Sequence, residues 1–422
     1  MKLRQLMKIL YLHQHFSPPN GTGNNRSLEL AQNWVKAGHE VIIVCGSGNF
    51  ENRIPFFQLY KRHQFDGLKV IQLNVNYSHF ASFSARILSF FHFVAIVLCL
   101  SLKLRKTDIV YASSTPLTIG LLGIWFKKWF RKPFVFETVD LWPDVPIGMQ
   151  ILKNKWLIKS CLKLEKWIYK EAQTIVCLSE GMQKAIEKKG VTQSKIVVSQ
   201  NGTNCSTFRP RENKAKAKQE LGYSEYDFIV LYAGTIGLAN GLEYWVDVAK
   251  NIKLINIHFI FLGNGNKKNE VVQYVKNQGT TNISFVEAVP KTEVKKYVDA
   301  ADLGIVSFAS YPILETNSAN KFYDYLASGL PVLINYEGWQ KYYLERFHCG
   351  FASRNKAELV NCILKLYEDE TTRNTLSINA RKLAEIHFDR EKIAEALLDV
   401  LYDAKLKKHP KFAGSNKLET TS

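Results

Sequence analysis

Four polar residues, Ser318, Asn320, Lys321 and Asp324, have the types and spacing to hold a phosphorylated sugar; they lie in ETNSANKFYDYLASGLPVLI, residues 315–334. The pattern predicts a loop, a short helix, a stop and a strand. Ser318 or Asn320 would cap the helix, Gly329 suits a left-handed ending, and Pro331 cannot continue it. The start of such a helix offers free backbone N–H groups to an anion, and Lys321 adds a point charge beside them. One turn on, Asp324 has the acceptor oxygens that a sugar hydroxyl needs. Phosphate and sugar recognised from one turn point to a nucleotide-sugar. Replacement of Asp324 is expected to abolish activity and leave the melting temperature nearly unchanged.

The elements that position this stretch must come from a long chain. At 422 residues, 46% hydrophobic and 22% charged, it has the material for two soluble cores. Its seven cysteines form no C-x-x-C pair and accompany no histidine cluster at metal spacing, so reduced thiols of a cytosolic protein are expected. The net charge of +18 is uneven: residues 1–200 hold 27 Lys and Arg against 12 Asp and Glu, and the remainder 29 against 26. No zinc-finger spacing, RNA-binding aromatic motif or basic repeat accompanies the basic half, which excludes the usual nucleic-acid readers. An anionic membrane surface or a phosphate-bearing acceptor fits the charge better.

The chain opens as a βαβ unit: a strand over residues 8–16, a Gly-rich loop with Gly21, Gly23 and Arg26, a helix closed at Gly38, and a strand over residues 41–45. The dinucleotide-binding spacing G-x-G-x-x-G is not met. Residues 87–102, ILSFFHFVAIVLCLSL, are uncharged. As a helix they would measure roughly 24 Å, short of the roughly 30 Å hydrocarbon core, so a bilayer span is the minority reading beside a buried helix or one dipping into a single leaflet. A second apolar segment runs into Lys127-Lys128-Trp129-Phe130-Arg131-Lys132, aromatics interleaved with cations as at a membrane interface or a solvated helix end. In PFVFETVDLWPD, residues 133–144, a strand gives way to a polar loop, which puts Glu137, Asp140 and Asp144 where open α/β sheets meet ligands. From residue 228 on, strands again end in glycine turns: Gly234, Thr235, Gly237 and Asn240 follow one, and Gly263 the next. The expected fold class is therefore α/β, two doubly wound Rossmann-like domains facing across a cleft. Their bounds are set at 1–205 (acceptor and membrane) and 206–385 (nucleotide-sugar), with a C-terminal helix at 386–408 returning to the first domain and a disordered tail at 409–422.

These motifs resemble the retaining GT-B glycosyltransferases of family 4, the subset that assembles bacterial surface polysaccharides. The resemblance is carried over nearly the whole chain by KILYLHQHFSPPNGTG, FETVDLWPD, LSEGM with SQNGTN and FRP, YAGTIG with GLE, FLGNG and SANKFYDYLASGLPV. It implies a UDP-sugar donor, a polyprenyl-diphosphate-linked acceptor, no bound metal or cofactor, and a place on the cytoplasmic face of the cell membrane. It also implies that Gly21, Gly23, Gly234, Thr235, Gly237 and Gly263 lie along the donor, that Asn320 and Lys321 hold phosphate, and that Asp324 binds ribose. Asp140, the candidate catalytic residue, stands where many members carry a histidine. Thr235 and Asn240 replace the family's cationic pair, so Lys321 or Arg26 would supply the missing charge. Glu315 and Asp324 stand one position further apart than the family's paired glutamates. A nucleotide-sugar epimerase and a non-catalytic sugar-nucleotide-binding subunit are the alternatives on the same architecture.

Overall fold

The computed structural model describes residues 5–19, 21, 25–51, 54–77 and 82–407. Gly23 and the 409–422 tail lie outside them. The chain divides into two compact units, residues 1–200 with 391–422, and residues 201–390. The division falls after Gln200.

In the first unit the strands are β1 (Lys8–Leu12), β2 (Glu40–Cys45), β3 (Tyr60–Phe65), β4 (Leu68–Leu73), β5 (Ile109–Ser113), β6 (Phe134–Thr138), β7 (Thr174–Cys177) and β8 (Ile196–Val198). They form one sheet in the order β3-β4-β2-β1-β5-β6-β7-β8. All neighbours pair parallel except β3, which returns antiparallel on β4 through a turn at Asp66 and Gly67, both at positive φ. Continuous apolar runs such as ILYL in β1 are buried because helices cover both faces. Those helices include α1 (Arg26–Lys36), α2 (Phe83–Leu104), α3 (Ile119–Phe130), α4 (Asp144–Gly148), α5 (Lys155–Glu171) and α6 (Glu180–Glu187). Helix α2 extends well past the uncharged run at both ends. At 22 residues and about 1.5 Å each it is long enough to span a bilayer; what holds it against the unit is burial of Phe93, Ile96, Val97 and Leu100.

The second unit holds β9 (Phe228–Ala233), β10 (Ile257–Leu262), β11 (Ile283–Val286), β12 (Leu303–Val306), β13 (Val332–Ile334) and β14 (Gly350–Ala352), with α7 (Lys214–Glu220), α8 (Glu243–Lys250), α9 (Lys268–Gln278), α10 (Lys291–Ala300), α11 (Asn320–Ala327), α12 (Trp339–Arg346), α13 (Lys356–Glu368) and α14 (Glu370–His387). Its sheet is parallel throughout, in the order β11-β10-β9-β12-β13-β14. The last helix, α15 (Arg390–Lys405), belongs to the first unit from Glu391 on. There Ile393, Leu397 and Leu401 join the core around Trp34, whose indole N–H donates to the Ala394 carbonyl at 2.9 Å.

Candidate functional site

In each sheet the first strand is flanked by strands reached in opposite directions: β1 lies between β2 and β5, and β9 between β10 and β12. Ligand crevices form outside the carboxyl ends of strands at such points. In the second unit, Gly234 follows β9 with φ +148° and Gly263 follows β10 with φ +144°. A methyl on Gly263 would fall 1.9 Å from the Gly234 carbonyl oxygen, so the two loops meet backbone to backbone and exclude any side chain. Gly237 is different, since a methyl there would make only ordinary contacts. Beyond it opens a cavity of about 440 Å³ lined by Gly237, Leu238, Gly241, Lys267, Ala309 and Tyr311.

Lys321 reaches this loop from the first turn of α11. Its ammonium lies 4.5 Å from the Tyr232 ring centroid, and 2.9 Å from where a Cβ on Gly234 would stand. Burial pulls its pKa down to about 8, with Asp324 acting in the opposite sense. A partly desolvated cation beside a side-chain-free loop is a place for a phosphate. Thr235 exposes its side chain and accepts the Tyr232 hydroxyl on its carbonyl at 2.6 Å, while the Asn240 carbonyl accepts from Ser307. Neither side chain supplies charge.

Helix α11 starts differently from the expectation. Its N-cap is Ala319, with no side-chain cap, and Ser318 bonds instead to the Tyr323 hydroxyl at 2.6 Å. Asn320, the first helical residue, keeps a buried Oδ1 with no partner among the described residues. The stop is the expected one: Gly329 takes φ +69°.

Asp324 is buried, and its Oδ1 accepts the Thr203 hydroxyl at 2.5 Å and meets the Lys291 ammonium at 3.4 Å. The expectation of an unchanged melting temperature is therefore corrected. Asp324→Ala would leave the buried Thr203 hydroxyl without its acceptor and take a carboxylate from beside Lys291, at an expected cost of about 1–3 kcal/mol, read as a fall in melting temperature. A variant that melts with the wild type would show that these bonds contribute nothing. Glu315, on the short turn Pro312–Thr316, is ion-paired to Arg354, so a sugar contact would have to displace that partner.

Arg26 is not available to a diphosphate. It is buried at the start of α1, with Nη2 2.8 Å from Glu137 of β6 and Nη1 donating to the Gln200 carbonyl. Glu137 also accepts the Tyr111 hydroxyl at 2.7 Å and the Ser113 hydroxyl at 2.6 Å. Burial alone would raise its carboxyl; Arg26 and the two hydroxyls outweigh that and hold it below the usual carboxylate value. His13, next to this network and 2.8 Å from Ser27 Oγ, is pushed down to about 4 by burial, against the pull of Glu137, and is neutral at pH 7.

Gly21 follows β1 on a turn closed by its N–H to the Pro18 carbonyl at 2.8 Å, and a methyl there would clash with Ser17 Oγ. Asp140 lies half-buried on the loop after β6; burial raises its carboxyl, which makes no hydrogen bond or ion pair among the described residues. An unpaired carboxyl in that position is suited to a substrate hydroxyl. Asp144 is committed elsewhere, to Lys189 at 2.6 Å, and Lys189 also binds the buried Glu165. Gln14, past the end of β1, was not singled out from sequence. Its carboxamide is 2% exposed with no partner among the described residues, and a lone glutamine after a strand carries no pattern to flag it.

Comparison with known proteins follows the same division. Residues 21–202 match the glycosyl transferase 4-like domain family, and residues 213–383 match glycosyl transferases group 1. TuaH of Bacillus subtilis (strain 168), provisionally named a teichuronic acid biosynthesis glycosyltransferase, is 21% identical over 200 residues, 47% of this chain and 49% of TuaH. The chain thus spans about half the length of the curated relative it matches. Among solved structures, sucrose-phosphate synthase from Thermosynechococcus elongatus superposes with a TM-score of 0.77 at 17% identity, over 94% of this chain and 98% of that one. Anabaena HepE, solved with UDP-glucose, gives 0.69 at 17% identity, over 94% and 100%. The first half of the chain thus matches a glycosyl transferase 4-like domain and the second half a glycosyl transferases group 1 domain, and the fold throughout is the GT-B fold of two Rossmann-like units.

Proposed function

We propose that this chain moves a hexose or an N-acetylated deoxyhexosamine from a UDP-sugar, with retention of configuration, to a polyprenyl-diphosphate-linked saccharide in surface-polysaccharide assembly. The observation that carries the reading is the backbone contact of Gly234 with Gly263 beside the Lys321 ammonium, next to a cavity large enough for part of a nucleotide-sugar. The UDP-glucose held by HepE favours UDP as the nucleotide, and the likeness to TuaH favours a surface polymer as the product.

In this reading the acceptor oxygen forms its bond to the anomeric carbon on the face from which the diphosphate leaves. The breaking bond's electrons go to the phosphate oxygen, which takes the acceptor hydroxyl's proton. Lys321 and the uncapped first turn of α11 neutralise the charge that develops on the diphosphate, so the scheme needs no metal or cofactor. Asp140, with its carboxyl unpaired, orients a sugar hydroxyl, and Asn320 offers its free Oδ1 to the donor.

The test is a panel of UDP-, GDP- and TDP-sugars with and without polyprenyl-diphosphate saccharides. UDP release that requires the acceptor, with the donor's anomeric configuration kept in the product, is expected. A free epimer formed without acceptor would replace this reading with an epimerase, and donor binding without turnover would replace it with a binding subunit.

A further inference from the structure

One face of the first unit is built from α2, α3 and α5, with α3 packed between the other two. On α2, Leu88, Phe91, Ala95, Cys99 and Leu102 are all exposed, the three large ones, Leu88, Phe91 and Leu102, at 69%, 55% and 66%. At 100° per residue they fall within an arc of about 80°, an apolar stripe running along the helix. The opposite side of α2, with Phe93, Ile96, Val97 and Leu100, is buried in the unit, so the stripe is what remains for an outside partner.

Helix α5 shows the complementary composition. Trp156, Lys159, Lys163, Lys166, Trp167 and Lys170 are exposed and fall within an arc of about 100°. Trp156 is 80% exposed; Trp129, at the end of α3, is 65% exposed. Lys128 lies 5.5 Å from the Trp167 ring centroid and so links α3 to α5. The acids of α5 are withdrawn from this face: Glu165 is buried against Lys189, and Glu171 is paired to Lys127. Helices α2 and α3 contain no acid at all.

Cations with no exposed counter-charge select an anionic partner. A second copy presenting the same face would be repelled, because self-complementary pairing brings like charges together. An apolar stripe beside tryptophans and lysines instead matches the layers of a lipid leaflet: acyl chains for Leu88 and Phe91, the headgroup level for the indoles, and anionic phosphates for the lysines. We infer that the α2, α3 and α5 face docks in the plane of an anionic lipid bilayer, with the α2 stripe entering the leaflet and the α5 lysines reading its charge.

The full chain is mixed with phosphatidylcholine vesicles, alone or with phosphatidylglycerol, and floated at low and high salt. Binding to the anionic vesicles is expected to be at least about tenfold tighter than to neutral ones at low salt, and to weaken as salt is raised. A chain carrying K159Q, K163Q and K166Q should lose affinity on the order of 100-fold. One carrying L88S, F91S and L102S keeps every charge, and should lose the salt-resistant part of the binding. All six positions are exposed, so melting curves that match the wild type verify folding in both. Absence of flotation at low salt overturns the inference, as does wild-type binding by either variant. Self-association abolished by the same substitutions, without vesicle binding, would assign the face to a second copy and also overturn it. No sugar donor is present, so the outcome is independent of glycosyl transfer.

Discussion

Lys321→Gln is expected to weaken UDP binding by roughly 10- to 100-fold, the value of one charge-assisted contact to phosphate. The lysine is the cation that the structure brings to the Gly234 loop, with Thr235 and Asn240 contributing none from the same loop. The pH dependence makes the prediction specific. Because burial lowers this amine to about 8, raising the pH from 7 to 9 discharges it, and wild-type affinity for the anion should fall across that window. The glutamine variant should show no such fall. Stability runs the other way. The folded amine titrates below its ordinary 10.5, so the unfolded chain binds more protons between the two values, and stability rises with pH over that interval. Calorimetric titration of UDP at pH 7 and 9 for both proteins is the measurement. Equal dissociation constants for variant and wild type would remove Lys321 from the donor site.

Glu137→Ala is expected to cost the first unit about 3–5 kcal/mol, because it leaves the buried Arg26 guanidinium uncompensated and strips an acceptor from Tyr111 and Ser113. The sign with pH follows from the carboxyl being held low. Its contribution is present above the ordinary carboxylate value of 4.5 and is lost as the pH falls through the lower folded value. Denaturant melts at pH 7 read the loss directly. The paired replacement of Arg26 by methionine and Glu137 by leucine should recover part of it, since the uncompensated charge is removed together with its partner. UDP affinity in the folded fraction should be unchanged, because Arg26 is buried in this pair and the phosphate contact proposed above is that of Lys321. A melt unchanged by Glu137→Ala would mean that the network is not what holds β5 and β6 to α1. A matching loss of UDP affinity would return Arg26 to the donor site.

The features read correctly in sequence are those set by local chemistry. Glycine turns after apolar strands, the helix ended by Gly329 and the second doubly wound series follow from backbone freedom and continuous apolar runs, which act over a few residues. The hairpin of β3 and β4 escaped that reading. YKRHQF in β3 is a half-exposed edge strand with charged residues, so its alternation resembles a polar loop. The uncharged run at 87–102 marked a helix but not its ends, because a residue such as the exposed Lys103 continues a helix while keeping its charge in water.

Residue type and spacing thus placed Lys321, Asp324 and Asp140 among the polar groups able to meet a phosphorylated sugar, put Gly234 and Gly263 on turns after strands, and determined the α/β class, whereas Arg26 entered only through the family resemblance. Which of those groups remain available depended on partners distant in the chain. Glu137 lies 111 positions from Arg26 and takes up its charge, and Thr203 lies 121 positions from Asp324 and anchors it. Lys321 is left beside Gly234 with its ammonium half stripped of water, and Asp140 with its carboxyl unpaired. A charged side chain offers the same chemistry to a ligand and to a buried counter-charge. Packing alone, by bringing one or the other within reach, separates a binding group from a structural one.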